Sequence, residues 1–127
     1  MFAISHTGIS ETGHPVGVFQ IKLLSDKLFE KFTVEEFCKW LIKSYENLVH
    51  VIMPRCCQIN GHRTDMVKTI IDFKVPNMGN IFKNKKILEC FKMAAKIGND
   101  CYPEGVLQII IINAPTIFKM LWFMIKG

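Results

Sequence analysis

Apolar residues in this chain recur with two spacings, and the switches between them outline the fold. Over residues 16–24, VGVFQIKLL, Phe19, Ile21 and Leu23 share one parity while Gln20 and Lys22 fall on the other. That alternation predicts a strand with one strongly apolar face. From Thr33 the spacing becomes three and four, through Val34, Phe37, Cys38, Leu41, Tyr45, Leu48 and Ile52. This is one face of a long helix, opened by a capping-box pair at Thr33 and Glu36. Pro54 ends or kinks it, and Asn60-Gly61 closes the region. Residues 66–73, MVKTIIDF, predict a second strand, and residues 77–80 a loop. Residues 81–97 return to helical spacing, with Ile87, Leu88, Phe91, Ala94, Ala95 and Ile97 inward, Lys85, Lys92 and Lys96 outward, and Gly98 as terminator.

The densest apolar pattern lies in residues 101–127. Within residues 106–112, VLQIIII, polarity is confined to Gln108, and Pro103, Gly105, Asn113 and Pro115 bound the run. It predicts a strand covered on both faces, as in a parallel or mixed sheet. Pro115 pre-sets a helix start, and residues 116–126 form a helix apolar almost all round, interrupted by Lys119. Residues 106–125 have nearly the ~20-residue length of a membrane span. However, Asn113, Pro115 and Lys119 would fall across its middle, so strand plus helix is the reading adopted. The expected order is β-α-β-α-β-α, an α/β fold with a short sheet of about three strands flanked by helices. Residues 1–12, small, polar and glycine-bearing, are expected to be a flexible lead-in.

Composition narrows the class. With 127 residues, 50% hydrophobic and 21% charged, the chain is one globular domain with a core of its own. Ten Phe and seven Met against two Tyr suit a core or an apolar ligand cavity. The formal charge of +5 allows attraction to an anionic membrane, but two Arg and no basic run give no nucleic-acid signature. Five cysteines, no C-x-x-C and no signal-peptide pattern point to reduced thiols in the cytosol.

The chain contains no G-x-G-x-x-G, P-loop, G-x-S-x-G or H-E-x-x-H pattern, so no catalytic residue is assigned and no enzyme is expected. Cys56, Cys57, His62 and His50 do not read as a metal site, because adjacent cysteines cannot easily serve one tetrahedral ion. Cys101 has no histidine at a spacing that supports nucleophilic catalysis. Glu104, in the turn before the last strand, reads as a solvated carboxylate, as a helix-terminus partner, or as an acceptor of hydroxyl groups at a pocket mouth.

Y-P-E followed by I-I-I-I-N-A-P, residues 102–115, resembles the most recognisable segment of the CRAL-TRIO lipid-binding domain. Other segments agree in the same order. Gly13-His14-Pro15-Val16 resembles the family's G-R-P-V strand entry, and Tyr45-Glu46 to Pro54 its Pro-kinked helix. Residues 69–74, TIIDFK, are similar to its T-x-x-D-L-K strand, and residues 118–126 to its F-x-x-x-W-x-x-x-K helix. The likeness covers residues 13–127, expected to be a partial CRAL-TRIO-like domain.

The resemblance implies a sheet floor that, with flanking helices, holds one lipid and exchanges it with a membrane through a gating helix. The implied lipid-binding residues are Glu104, Thr69, Ile71, Phe73, Ile109, Ile111, Trp122 and Ile125. Glu104 matches the family glutamate at the inositol headgroup, and Thr69 a threonine associated with the phosphatidylcholine headgroup. Gly17 and Val67 stand where choline-binding members carry a tyrosine and a serine, which argues against choline. Relative to the family, the N-terminal helical subdomain and the gate helix are not represented in these residues, and an open groove favours a homodimer. The expected function is non-enzymatic binding, with intermembrane transfer, of a phospholipid, phosphatidylinositol first, by a cytoplasmic protein visiting membrane surfaces. No cofactor, metal or nucleic acid is expected. The alternatives are a protein-interaction module using the apolar groove, or a family member without transfer activity.

Overall fold

The computed structural model describes residues 4–23, 26–75 and 78–126. Four strands, β1 (Ile4–Ile9), β2 (Pro15–Gln20), β3 (Val67–Asp72) and β4 (Val106–Ile112), form one sheet in sequential order. β1 is antiparallel to β2, whereas β2, β3 and β4 are parallel. The connection from β2 to β3 carries α1 (Asp26–Lys31), α2 (Val34–Asn47) and α3 (Met53–Asn60). The connection from β3 to β4 carries α4 (Met78–Lys83) and α5 (Lys85–Cys101), and α6 (Phe118–Lys126) follows β4.

β1 is the fourth strand, in a stretch whose sequence predicts a lead-in. Its alternation is weak, and turn chemistry makes the strand. Ser10 N–H donates to the His14 carbonyl at 2.8 Å, Gly13 N–H to the Ser10 carbonyl at 2.8 Å, and His14 N–H to Ser10 Oγ at 3.1 Å. Gly13 turns at φ 84°, and the chain folds back onto β2.

The long helix forms as its spacing predicts, and Pro54 explains its interruption. Thr33 Oγ1 accepts from Glu36 N–H at 3.1 Å, and Glu36 Oε2 accepts from Thr33 N–H at 2.8 Å. Residues Leu48–Ile52 widen into a π turn, in which Met53 N–H reaches the Leu48 carbonyl five residues back. A proline ring clashes with the carbonyl four residues before it, and the wider turn lets the helix pass Pro54 without breaking. Gly61, at φ 71°, ends it.

The second helical stretch differs from the pattern in three places. Residues 78–80 are helical, not loop, and Asn77 lies outside the described residues. Asn84 splits the stretch, its Oδ1 accepting from Lys86 N–H at 3.0 Å and Ile87 N–H at 3.4 Å to cap α5. α5 then runs through Gly98 to Cys101, so Gly98 is a packing position and not a stop. A Cβ there would lie 3.4 Å from the Tyr45 hydroxyl.

Both parallel crossovers step the same way along the sheet, which places their helices on one face. Ile21, Phe37, Leu41, Phe73, Ile81, Ile87, Cys90 and Ile97 are buried there, with Phe19, Ile71 and Ile111 of the sheet packed against them. The in-register row Val18–Ile70–Ile110 on the other face belongs to neither buried cluster. The covering of β4 on both faces is therefore overturned. β4 is the edge strand, with Ile109 49% and Ile110 39% exposed on its opposite faces.

Candidate functional site

A cavity of about 230 Å³ lies between the helix-covered sheet face and the facing sides of α2 and α5. Parity decides its floor. In a strand, alternate side chains share a face, so Phe19, Thr69, Ile71 and Ile109 point into it together. Helical spacing decides the roof, with Phe37, Trp40, Leu41 and Tyr45 from α2 and Ile87, Cys90, Phe91, Ala94 and Ala95 from α5. The two alanines leave room where larger residues would close the gap. Among the described residues the lining carries no Lys, Arg, Asp or Glu. Such a space suits hydrocarbon and penalises an unpaired charge.

Cys90 is the thiol of the described lining, and burial acts on it and on neighbouring cysteines alike. Burial, first, and the nearby Cys38 push the Cys90 thiol up to about 11, and burial also raises Cys38 and Cys56. Cys57 Sγ is engaged with Thr64, accepting from its N–H at 3.0 Å. Among the described residues no three His, Cys, Asp or Glu side chains come together as a metal site.

Two further hollows adjoin the cavity. A groove of about 460 Å³ shares Tyr45, Ala94, Ala95, Val106 and Ile109 with it and is bordered by Glu104. Glu104 is exposed and sits at φ 62°, a left-handed conformation that costs a non-glycine residue roughly 1–3 kcal/mol. A smaller hollow of about 90 Å³ shares Leu41, Tyr45, Thr69 and Val106 and adds His6, Gly17 and Ser44.

The residues singled out from the sequence thus fall into three places. Thr69, Ile71, Phe73 and Ile109 meet in the main cavity. Glu104 stands on the adjoining groove. Ile111 and Trp122 border a separate surface hollow with Phe118 and Phe123. Phe73 joins the two regions, its ring edge-on to Phe118 with centroids 5.3 Å apart. The Ile125 side chain lies outside the described residues. Of the two polar residues of the smaller hollow that sequence reasoning passed over, Ser44 and His6, the second was hidden because His6 sits in the unrecognised strand. Its signal was Gly17, since a glycine inside a strand marks close approach.

Fold and cavity together define an α/β domain built around an uncharged apolar hollow. The model of the CRAL/TRIO domain matches residues 2–127, and the chain belongs to that family. It is 31% identical over 121 residues to the phosphatidylinositol/phosphatidylcholine transfer protein SFH4 of Arabidopsis thaliana, covering 94% of this chain and 20% of that protein. It is 29% identical over 115 residues to the SEC14 cytosolic factor of Yarrowia lipolytica, covering 90% of this chain and 23% of that one. The Sec14 cytosolic factor of Schizosaccharomyces pombe is 30% identical over 116 residues, with 91% and 40% covered. The chain therefore spans about a fifth of the length of the first two relatives. Among the described residues no helix is long and apolar enough to cross a membrane.

Proposed function

We propose that this chain binds one phospholipid, phosphatidylinositol first, without chemical change, and takes part in moving it between membranes. The observation that carries the reading is the uncharged cavity with Thr69, Ile71, Phe73 and Ile109 on its floor and Glu104 on the adjoining groove. Burying an acyl chain in such a space contributes about 0.8 kcal/mol per CH₂. Pockets for even drug-sized ligands run from about 300 Å³ upward. At about 230 Å³ the cavity must widen on loading, by parting α2 from α5. Glu104 accepts headgroup hydroxyls at the groove, and contact with the membrane is transient and peripheral. The relatives' names, phosphatidylinositol/phosphatidylcholine transfer proteins, support the same lipid class.

The test is mass spectrometry of lipid extracted from the purified protein, with uptake from phosphatidylinositol-containing vesicles. Stoichiometric phospholipid, and loss of inositol-lipid uptake in a folded Glu104→Lys variant, are expected. A protein that carries no lipid and takes none from vesicles would sink the reading. The exposed Met120, Trp122 and Phe123 of α6 favour a second reading, a protein-docking groove, which that empty result would support.

A further inference from the structure

A small cluster of side chains joins α2 to α5 at the C-terminal ends of both helices. Tyr102 follows α5 directly and is bonded back to it, its N–H donating to the Gly98 carbonyl at 3.2 Å. Its hydroxyl donates to Glu46 Oε1 on α2 at 2.5 Å, and its ring stacks on Tyr45 of α2. The second carboxylate oxygen, Glu46 Oε2, lies 3.1 Å from His50 Nε2 in the π turn. Glu46 is thus engaged on two sides, toward α5 and toward the wide turn that follows α2. Gly98 completes the arrangement, because a Cβ there would stand 3.4 Å from the Tyr45 hydroxyl.

These contacts differ in kind from the rest of the roof. The core that α2 and α5 share is apolar, with Phe37, Leu41, Ile87, Cys90 and Ile97 buried in it. Apolar contact is non-directional and tolerates a small shift of one helix against the other. A hydrogen bond is directional and is lost on such a shift. Both Glu46 contacts are exposed, so water replaces them when they break. Tyr45 lines the main cavity and Tyr102 the adjoining groove, whereas Glu46 lines neither.

Resting on the lipid-cavity reading, we propose that Glu46 is a positioning residue. With Tyr102 and His50 it latches the roof between α2 and α5, and its release speeds entry and exit of the ligand alike. The latch acts on opening and does not touch the ligand, so it sets the rate of exchange and leaves affinity unchanged. The π turn at Leu48–Ile52 is the hinge, because helices bend where the backbone already departs from α-helical spacing.

The test follows pyrene-labelled phosphatidylinositol between the protein and vesicles carrying a quencher lipid, by stopped-flow fluorescence. Glu46→Leu should raise the uptake and release rates together, roughly two- to tenfold, the worth of one hydrogen bond. The fraction of probe bound at equilibrium should not change. Glu46→Gln keeps an acceptor and should fall between wild type and Glu46→Leu. Tyr102→Phe should also speed exchange, and the double variant Glu46→Leu/Tyr102→Phe should be no faster than the faster single one. Gly13→Ala, which loosens the fold away from the roof, should leave both rates as they are.

Unchanged rates in Glu46→Leu, a changed bound fraction, or equal acceleration by Gly13→Ala overturns the latch and leaves the phospholipid reading intact. A wild-type protein that takes up no probe defeats that reading, and the latch is then decided without ligand. In a Trp122→Phe background Trp40 is the single tryptophan, since the chain has two, and it lines the cavity on α2. Acrylamide quenching of Trp40 should rise in Glu46→Leu as the roof opens more often. Quenching unchanged by Glu46→Leu overturns the latch.

Discussion

The Tyr102 hydroxyl donates to the Glu46 carboxylate at 2.5 Å, across 56 positions of sequence. Its ring stacks on Tyr45, with centroids 4.6 Å apart and planes 19° from parallel. The C-terminal end of α5 is thereby tied to α2, the two helices that roof the cavity. The hydrogen bond, first, and burial push Tyr102 up to about 12.

A raised value in the folded state makes the neutral phenol the stabilised form. The contribution is complete below the ordinary tyrosine value near 10 and disappears as pH climbs through about 12. In a Tyr45→Phe background Tyr102 is the single tyrosine, since the chain has two. Ultraviolet titration should then show it ionising near 12, and Glu46→Gln should lower that midpoint. Tyr102→Phe should cost about 0.5–1.5 kcal/mol in urea unfolding. A midpoint indifferent to Glu46→Gln would deny the tie.

Gly13 should not accept a side chain. It has φ 84°, its carbonyl accepts from Asn60 Nδ2 at 2.6 Å, and a Cβ would lie 2.6 Å from that nitrogen. Strain and steric overlap act together, so Gly13→Ala should lower stability by roughly 1–3 kcal/mol. Gly61→Ala is the control: its φ is 71° but nothing lies within 4 Å of the added Cβ. It should cost less, and equal losses would show that the Asn60 contact does not matter.

Glu104→Gly separates stability from binding. Removing the side chain relieves the left-handed conformation at φ 62° and should raise the melting temperature, by an amount equivalent to about 0.5–1 kcal/mol. Inositol-lipid uptake should fall at the same time. Unchanged uptake in the stabilised variant would remove Glu104 from the headgroup site.

Ala95→Leu should fill space that a ligand needs. Ala95 borders both the main cavity and the adjoining groove, and it is half-buried. Added methyl groups at a hollow can pack without large strain, so stability should change by less than about 1.5 kcal/mol. Vesicle uptake of phospholipid should be strongly reduced. Full uptake would place the ligand elsewhere.

The sequence by itself determined the elements whose cause is local. The capping pair at Thr33 and Glu36, the three-and-four spacing through Leu48 and the β-branched runs of β3 and β4 each state their own structure. Alternation also placed Thr69, Ile71 and Phe73 on one parity, which is why they meet in one cavity. Glycine and proline were less legible. Pro54 is carried by a π turn, and Gly98 stays helical beside Tyr45. Only the tertiary structure decided which sheet face is covered, that β4 lies at the edge, and that β1 exists at all. Those depend on the direction of the crossovers and on a turn at Ser10–His14, not on any residue within the strands. His6 is the sharpest case: its environment comes from a neighbour 11 positions away and another 63 positions away, in register across the sheet. Periodicity reports a residue's own face, while pairing decides what stands beside it.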